Sequence, residues 1–142
     1  MEPTDTGAIG AGEREQMGRK HVFVVNDAPE VLQLVRRLLQ DERYNVTTTN
    51  YVPQTFEQIG ALAPDLILVD LAAGRRGGWD LLERLHAGAA TRGIPVIVTS
   101  TDRQLLERAR GDAARSGAHG VLMRPFDLEE LLDAIQQRIG FA

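Results

Sequence analysis

The chain has 142 residues, of which 43% are hydrophobic and 25% are charged, proportions typical of one globular domain and not of a disordered chain. Cysteine is absent, which excludes disulfide bonds, cysteine-ligated metal sites and a thiol nucleophile. The net charge of −4 argues against a surface that binds nucleic acid, and no apolar run is long enough to cross a membrane.

Residues 1–19 show no sustained hydrophobic period and no apolar run that could form the core of a signal peptide. We therefore expect a flexible N-terminal tail over residues 1–19 and one folded domain over residues 20–142. Translation from Met17 instead of Met1 would leave that domain intact. Because no targeting signal is found, we expect the protein to be cytoplasmic.

From residue 21 onward, strand-like runs alternate with helix-like ones. Five short apolar runs predict strands over residues 21–25, 44–49, 65–69, 94–99 and 118–123. The third and fourth runs are almost wholly apolar, which is typical of strands covered on both faces. The second run is the most polar and indicates an edge strand.

Helical periodicity follows each strand. Apolar stripes predict helices over residues 31–40, 54–59, 79–86, 104–115 and 128–139. Asp102 and Asp127 stand where the last two helices would have their N-caps, and Gly117 and Gly140 stand where those helices would end. Five β–α repeats predict an α/β fold, a doubly wound five-stranded parallel sheet with helices on both faces.

Ligands of such sheets bind outside the carboxyl ends of the strands, so polar residues at those ends are the candidate functional residues. They are Asn26 and Asp27 after the first strand, Asp70 after the third, Ser100 after the fourth, and Arg124 with Pro125 after the fifth. Each alone has an ordinary structural explanation, such as a helix cap or a solvated turn. Four strand ends that meet at one rim of one sheet favour a functional site.

Four segments carry these strand ends: Val-Val-Asn-Asp (24–27), Asp-Leu-Ile-Leu-Val-Asp (65–70), Pro-Val-Ile-Val-Thr-Ser (95–100) and Gly-Val-Leu-Met-Arg-Pro-Phe (120–126). In order and spacing they resemble the receiver domains of bacterial two-component response regulators, and the resemblance covers residues 21–139. It implies the flavodoxin-like receiver fold with strand order 2-1-3-4-5 over residues 20–142. It also implies a phosphoacceptor signalling domain, not an enzyme, whose partner is a histidine kinase or a phosphotransfer protein.

The resemblance implies that Asp70 is the phosphoacceptor. It further implies that Asp27, Asp70 and the main-chain carbonyl of Ala72 bind Mg²⁺, with Asn26 beside them in the metal site. Magnesium prefers oxygen ligands and keeps several waters, so a small set of protein ligands suffices. Because Asn26 stands where the family usually has a second acidic residue, we expect magnesium to bind more weakly than usual.

Three further positions follow from the resemblance. Ser100 matches the hydroxyl that moves to hydrogen-bond the phosphoryl group, and Pro125 matches a proline that usually follows a cis peptide bond. Arg124 stands at the family's lysine position, where its planar guanidinium can bind a phosphate bidentately but does not replace a compact ammonium group. Val121 stands where the family usually has an aromatic residue that couples phosphorylation to output.

The loop after Asp70 is unusually rich in glycine, with three glycines in residues 74–78, and we expect it to be mobile. Arg75 and Arg76 in this loop could face a phosphoryl group, but we favour solvated side chains. We expect Trp79 to be a packing residue.

Two functional hypotheses stay open, together with a third of lesser weight. The first is a stand-alone receiver that signals to an unidentified downstream protein by direct contact, since the chain ends right after the fifth helix. The second is a degenerate receiver that acts as a phosphorylation-independent protein-binding module. The third, a small phosphatase-like enzyme of the same topology, lacks the second aspartate two residues after Asp70. A homodimer is possible, and we expect neither nucleic acid nor membrane as a partner.

Overall fold

Runs of valine, isoleucine and leucine form five short strands that pair as one parallel sheet. The computed structural model, which describes residues 18–112 and 116–140, places them at β1 (His21–Val25), β2 (Asn45–Thr49), β3 (Leu66–Asp70), β4 (Val96–Ser100) and β5 (Gly120–Met123). The strand order is β2-β1-β3-β4-β5, so the chain first winds to one edge of the sheet and then to the other. The predicted doubly wound topology and its strand order are confirmed.

Five helices among the described residues cover the two faces of this sheet. They are α1 (Pro29–Asp41), α2 (Thr55–Leu62), α3 (Gly77–Ala87), α4 (Arg103–Gly111) and α5 (Leu128–Ile139). Pro29 opens α1, where its fixed φ suits the first turn and its missing N–H costs no hydrogen bond. None of the helices in the described ranges is both long and apolar enough to cross a membrane.

Side-chain capping fixes where the last two helices begin. The Asp102 carboxylate accepts hydrogen bonds from the first main-chain N–H groups of α4. At α5, Asp127 and Glu130 form a reciprocal capping box. Gly140 ends α5 with a φ of +79°, and Gly117 has a φ of +67°, as a glycine at a helix end allows. Both predicted N-caps are therefore confirmed, whereas α4 ends at Gly111, earlier than the predicted end at residue 115, and residues 113–115 lie outside the described ranges.

The sheet separates two apolar layers. Alternate residues of β1 and β3 face α2, α3 and α4 on one side, where Trp79 is buried as expected, and face α1 and α5 on the other. Every residue of β3 and β4 is buried, whereas every residue of β2 is half-buried. The central strands and the polar edge strand are thus as the sequence predicts.

Several boundaries differ from those predicted, and two of the differences matter for the site. β3 covers residues 66–70 instead of 65–69, and β4 covers residues 96–100 instead of 94–99. Pro95 has no N–H for the ladder, and its carbonyl accepts the Ile67 N–H at 3.0 Å just before β4 begins. With these observed bounds, Asp70 and Ser100 are the last residues of their strands. Of the predicted tail, residues 1–17 lie outside the described ranges.

The capping box at α5 generates a stability prediction. Asp127→Ala removes the acceptor for the Glu130 N–H, which lies 2.8 Å from Asp127 Oδ1. We expect the free energy of unfolding, measured by urea denaturation, to fall by about 1 kcal/mol. Asp133→Ala is the matched control, because it removes an exposed carboxylate from the interior of the same helix and should change stability by less than about 0.5 kcal/mol. Equal losses in the two variants would contradict the capping role.

Candidate functional site

The carboxylate of Asp70 lies at the end of β3 and is almost fully buried, with 6% of the residue exposed. Its Oδ1 accepts hydrogen bonds from Thr99 Oγ1 at 2.6 Å and from Arg124 Nε at 2.8 Å, and its Oδ2 accepts one from Arg124 Nη2 at 3.1 Å. Arg124 therefore binds Asp70 bidentately, the geometry that suits a guanidinium and a carboxylate. This pairing offsets the cost of burying the charge.

The register between β3 and β4 decides which hydroxyl reaches Asp70. Asp70 lies opposite Thr99 in the parallel ladder, and paired residues in adjacent strands project from the same face of the sheet. Ser100, one residue later, projects from the other face. Its hydroxyl donates to the Leu71 carbonyl at 2.6 Å and accepts the Asp102 N–H at 3.0 Å.

Thr99 is therefore a site residue that the sequence analysis missed. The motif spacing predicted that the hydroxyl of Ser100 contacts the phosphoacceptor. In the structure the hydroxyl of Thr99 contacts the Asp70 carboxylate, and that of Ser100 binds the main chain of the loop after β3. A shift of one residue in register reverses the face on which a side chain lies, and spacing along the sequence does not resolve that shift. The role of Ser100 as the switching hydroxyl stays a prediction that this geometry does not favour.

Asp27 lies at the neighbouring strand end, after β1, and is exposed. Its Oδ2 accepts a hydrogen bond from Arg75 Nη1 at 2.8 Å, so the loop between β3 and α3 contacts the residue that follows β1. Arg76 has the solvated position that we expected, with only a loose contact of 3.9 Å to Asp80. Arg75 is also mostly exposed but is ion-paired, which the sequence did not indicate.

Asn26 is buried, and its side chain is engaged by its own loop. Its Oδ1 accepts the Ala28 N–H at 2.9 Å, a local turn that shapes the entry to α1. A cavity of about 190 Å³ at the rim is lined by Asp27, Tyr51, Asp70, Ala72, Arg75, Gly77 and Gly78. The predicted ligands Asp27, Asp70 and Ala72 thus share one cavity, and Asn26 is not among its lining residues.

Tyr51, which follows β2, is a second residue that the sequence analysis missed. Its hydroxyl donates to the main-chain carbonyl of Asp70 and lies 3.5 Å from the Val25 carbonyl oxygen. Burial, with the nearby carboxylates of Asp70 and Asp27, raises the pKa of Tyr51, so the phenol keeps its proton. A Cβ at position 78 would lie 2.8 Å from the same Asp70 carbonyl, so glycine is needed where α3 approaches β3.

The donors at this rim fit magnesium in their chemistry. Two carboxylates, from Asp27 and Asp70, and the carbonyl-bearing residue Ala72 line the same cavity, and Mg²⁺ prefers such oxygen ligands. Within the described ranges, no group of three or more histidine or acidic side chains could hold a metal ion. Both carboxylates are ion-paired with arginines, Asp27 with Arg75 and Asp70 with Arg124, so the side-chain charges of the site balance.

Comparisons with known proteins agree with this geometry. The family described as the response regulator receiver domain matches residues 22–136, and the chain belongs to this family. The DNA-binding response regulator MtrA of Mycolicibacterium smegmatis is 26% identical over 121 residues, which cover 85% of this chain and 51% of MtrA. The regulatory protein VirG of Agrobacterium tumefaciens is 31% identical over 82% of this chain and 42% of its own length. This chain therefore spans about half the length of these curated relatives.

Solved structures show the same fold. The chemotaxis protein CheY4 of Vibrio cholerae has a TM-score of 0.74 at 24% identity and covers 85% of this chain and 99% of its own. A putative pilus assembly-related protein of Burkholderia pseudomallei has a TM-score of 0.68 at 25% identity and covers 86% of this chain and 90% of its own.

The cis peptide bond that the family resemblance implies is present in this chain, between Arg124 and Pro125.

The ion pair between Arg124 and Asp70 generates a second stability prediction. Arg124→Met leaves the Asp70 carboxylate buried without its guanidinium, so we expect urea denaturation to show a loss of about 1–3 kcal/mol. Adding Asp70→Asn should restore much of that loss, because a neutral amide costs less to bury than a carboxylate.

The control for this cycle is Arg37→Met on the exposed face of α1, which should change stability by less than about 0.5 kcal/mol. The central role of the ion pair would be wrong if Arg124→Met were as mild as Arg37→Met, or if Asp70→Asn gave no recovery.

Proposed function

We propose that this receiver domain accepts a phosphoryl group on Asp70 from a histidine kinase or a phosphotransfer protein, and that it signals by contact with a downstream protein. The observation that carries this proposal is the Asp70 carboxylate itself. It lines a cavity at the carboxyl rim of the sheet, and both of its oxygens are oriented by Arg124 and Thr99. The expected location is the cytoplasm, where such kinases present their phosphohistidines.

The transfer is a displacement at phosphorus. An Asp70 oxygen forms the new P–O bond, the P–N bond to the phosphohistidine breaks, and the imidazole keeps that electron pair and then takes up a proton. Oδ2 is the more available oxygen, because it accepts one hydrogen bond from the described side chains whereas Oδ1 accepts two. Oδ2 uses one lone pair for the new bond, and the Arg124 Nη2–H group that now donates to Oδ2 is placed to donate to a phosphoryl oxygen instead.

Asp27, Asp70 and the Ala72 carbonyl would hold magnesium. When bound, the ion supplies the positive charge that offsets the negative charge of the phosphoryl oxygens. Asn26 brings no charge and its side-chain oxygen is already engaged, so it adds little to metal binding. We therefore expect weaker magnesium binding than in receivers with a second acidic residue at this position.

One observation favours the second hypothesis, a degenerate receiver that binds a protein partner without phosphorylation. Both carboxylates of the site are already neutralised by arginines in this structure. A site with balanced charge has less need of a divalent cation and less tendency to attract one. The matched segment covers only 51% and 47% of two relatives that are named as DNA-binding, so output by protein contact is proposed here for the receiver domain only.

The first hypothesis is tested with acetyl phosphate as the phosphodonor and intact mass as the readout. We expect a phosphorylated species that requires Mg²⁺, disappears in Asp70→Asn and persists in the control Asp133→Asn. Phosphate on another residue, or no phosphate at a high donor concentration, would reject the phosphoacceptor role and leave the binding module.

The two hydroxyls at the end of β4 can be separated in the same assay. Thr99→Val keeps the side-chain shape but removes the hydroxyl beside Asp70, which we expect to donate to a phosphoryl oxygen as the new bond forms, so phosphorylation should slow by about tenfold. Ser100→Ala should slow it by less than about threefold, since that hydroxyl contacts main-chain groups only. Thermal unfolding checks that both variants fold. The reverse order of effects would support Ser100 as the switching hydroxyl.

A further inference from the structure

Arg75 donates hydrogen bonds to two of the three groups that are proposed to bind magnesium. Its Nη1 donates to Asp27 Oδ2 at 2.8 Å, and its main-chain N–H donates to the Ala72 carbonyl at 3.2 Å. The third group, the Asp70 carboxylate, lines the same cavity as Arg75. One residue of the loop between β3 and α3 therefore contacts the metal site through both its side chain and its backbone.

The local sequence explains how Arg75 comes to lie there. The hydrogen bond from the Arg75 N–H to the Ala72 carbonyl closes a four-residue turn over residues 72–75. Gly74, the third residue of this turn, has a φ of +77°, which a residue with a side chain rarely adopts. The turn thus places Arg75 where its side chain reaches Asp27.

Arg75 and a divalent cation compete for the same carboxylate. A guanidinium stays charged at all physiological pH values, so a change of pH does not release it from Asp27 and a second cation has to compete with it. Two cations that share one carboxylate also repel each other at short range. Magnesium binding at Asp27 is therefore expected to displace the Arg75 side chain.

We propose that Arg75 is an internal counter-ion of Asp27 that lowers the affinity of the site for magnesium, so that metal binding releases the Arg75 side chain, and with it residues 73–76, from Asp27. This inference rests on the magnesium site that is part of the proposed function. It makes Arg75 a positioning residue: it sets how readily the metal enters and where the loop lies, without touching the phosphoryl group.

The size of the effect follows from exposure. The Arg75 side chain is 69% exposed and that of Asp27 is 36% exposed, so the ion pair is screened by water and is worth little in isolation. Removing such a competitor should strengthen magnesium binding by about two- to fivefold.

The experiment is a calorimetric titration of Mg²⁺ into the full chain, its Arg75→Ala variant and its Arg76→Ala variant. Arg76 is the matched control, because it lies in the same loop and carries the same charge, and within the described ranges its one ion pair is a loose contact of 3.9 Å to Asp80. Arg76→Ala therefore reproduces the change in net charge without the direct competition. Alanine at position 75 keeps the main-chain N–H and hence the turn, and circular dichroism confirms folding.

We expect Arg75→Ala to bind Mg²⁺ about two- to fivefold more tightly than the unaltered chain. For Arg76→Ala we expect a fold-change in affinity that is less than half of that found for Arg75→Ala. Equal effects in the two variants, a weaker affinity in Arg75→Ala, or no magnesium binding by any of the three proteins would overturn the proposal. The titration measures no phosphate. A chain that binds magnesium as expected but is never phosphorylated would therefore refute the proposed function and leave the role of Arg75 standing.

Discussion

The burial of one negative charge organises this rim of the sheet. Asp70 ends a strand whose residues are all buried, so its carboxylate cannot rely on water and must find protein partners. The strand order places β4 and β5 successively on one side of β3, and these two strands bring Thr99 and Arg124 to the carboxylate. The opposite neighbour, β1, brings Asp27. The function of the rim therefore depends on the topology of the sheet.

The sequence predicts the fold well because the fold depends on features that repeat. Five alternations of apolar runs and amphipathic helices, with aspartates at N-caps and glycine at a helix end, leave few topologies open. It also identifies Asp70 and Arg124, because charged residues directly after apolar strands are few. Asp70 and Arg124 prove to be each other's partners, which neither residue type alone could indicate.

The site residues that the sequence did not predict depend on geometry between segments. Thr99 reaches Asp70 because the register of β3 and β4, with β4 beginning after Pro95, pairs these two residues. The family spacing pointed instead to Ser100, one residue later. Tyr51 lies far from β3 in sequence and reaches Asp70 only across β1. Arg75 pairs with Asp27 across 48 residues, and its long side chain has many alternative positions. Gly74 allows a turn to be predicted from the local sequence, but the residue that the Arg75 side chain reaches from that turn cannot be predicted in this way.

The two arginines of the site differ in what holds them, and this difference limits how the site can respond to added charge. Arg124 is mostly buried, and its main-chain N–H donates to the Ser100 carbonyl at 2.8 Å, so its backbone is fixed to β4. Arg75 is mostly exposed and stands on a turn that no helix or strand contains. A phosphoryl group adds negative charge to a site whose charges balance, and a cation must move toward it or enter from solution. Arg124 already contacts Asp70 and its backbone is fixed, whereas Arg75 is exposed, so a cation that enters from solution displaces Arg75 more readily than Arg124. The loop that carries Arg75, directly before α3, is therefore the part of the proposed site that its own contacts constrain least.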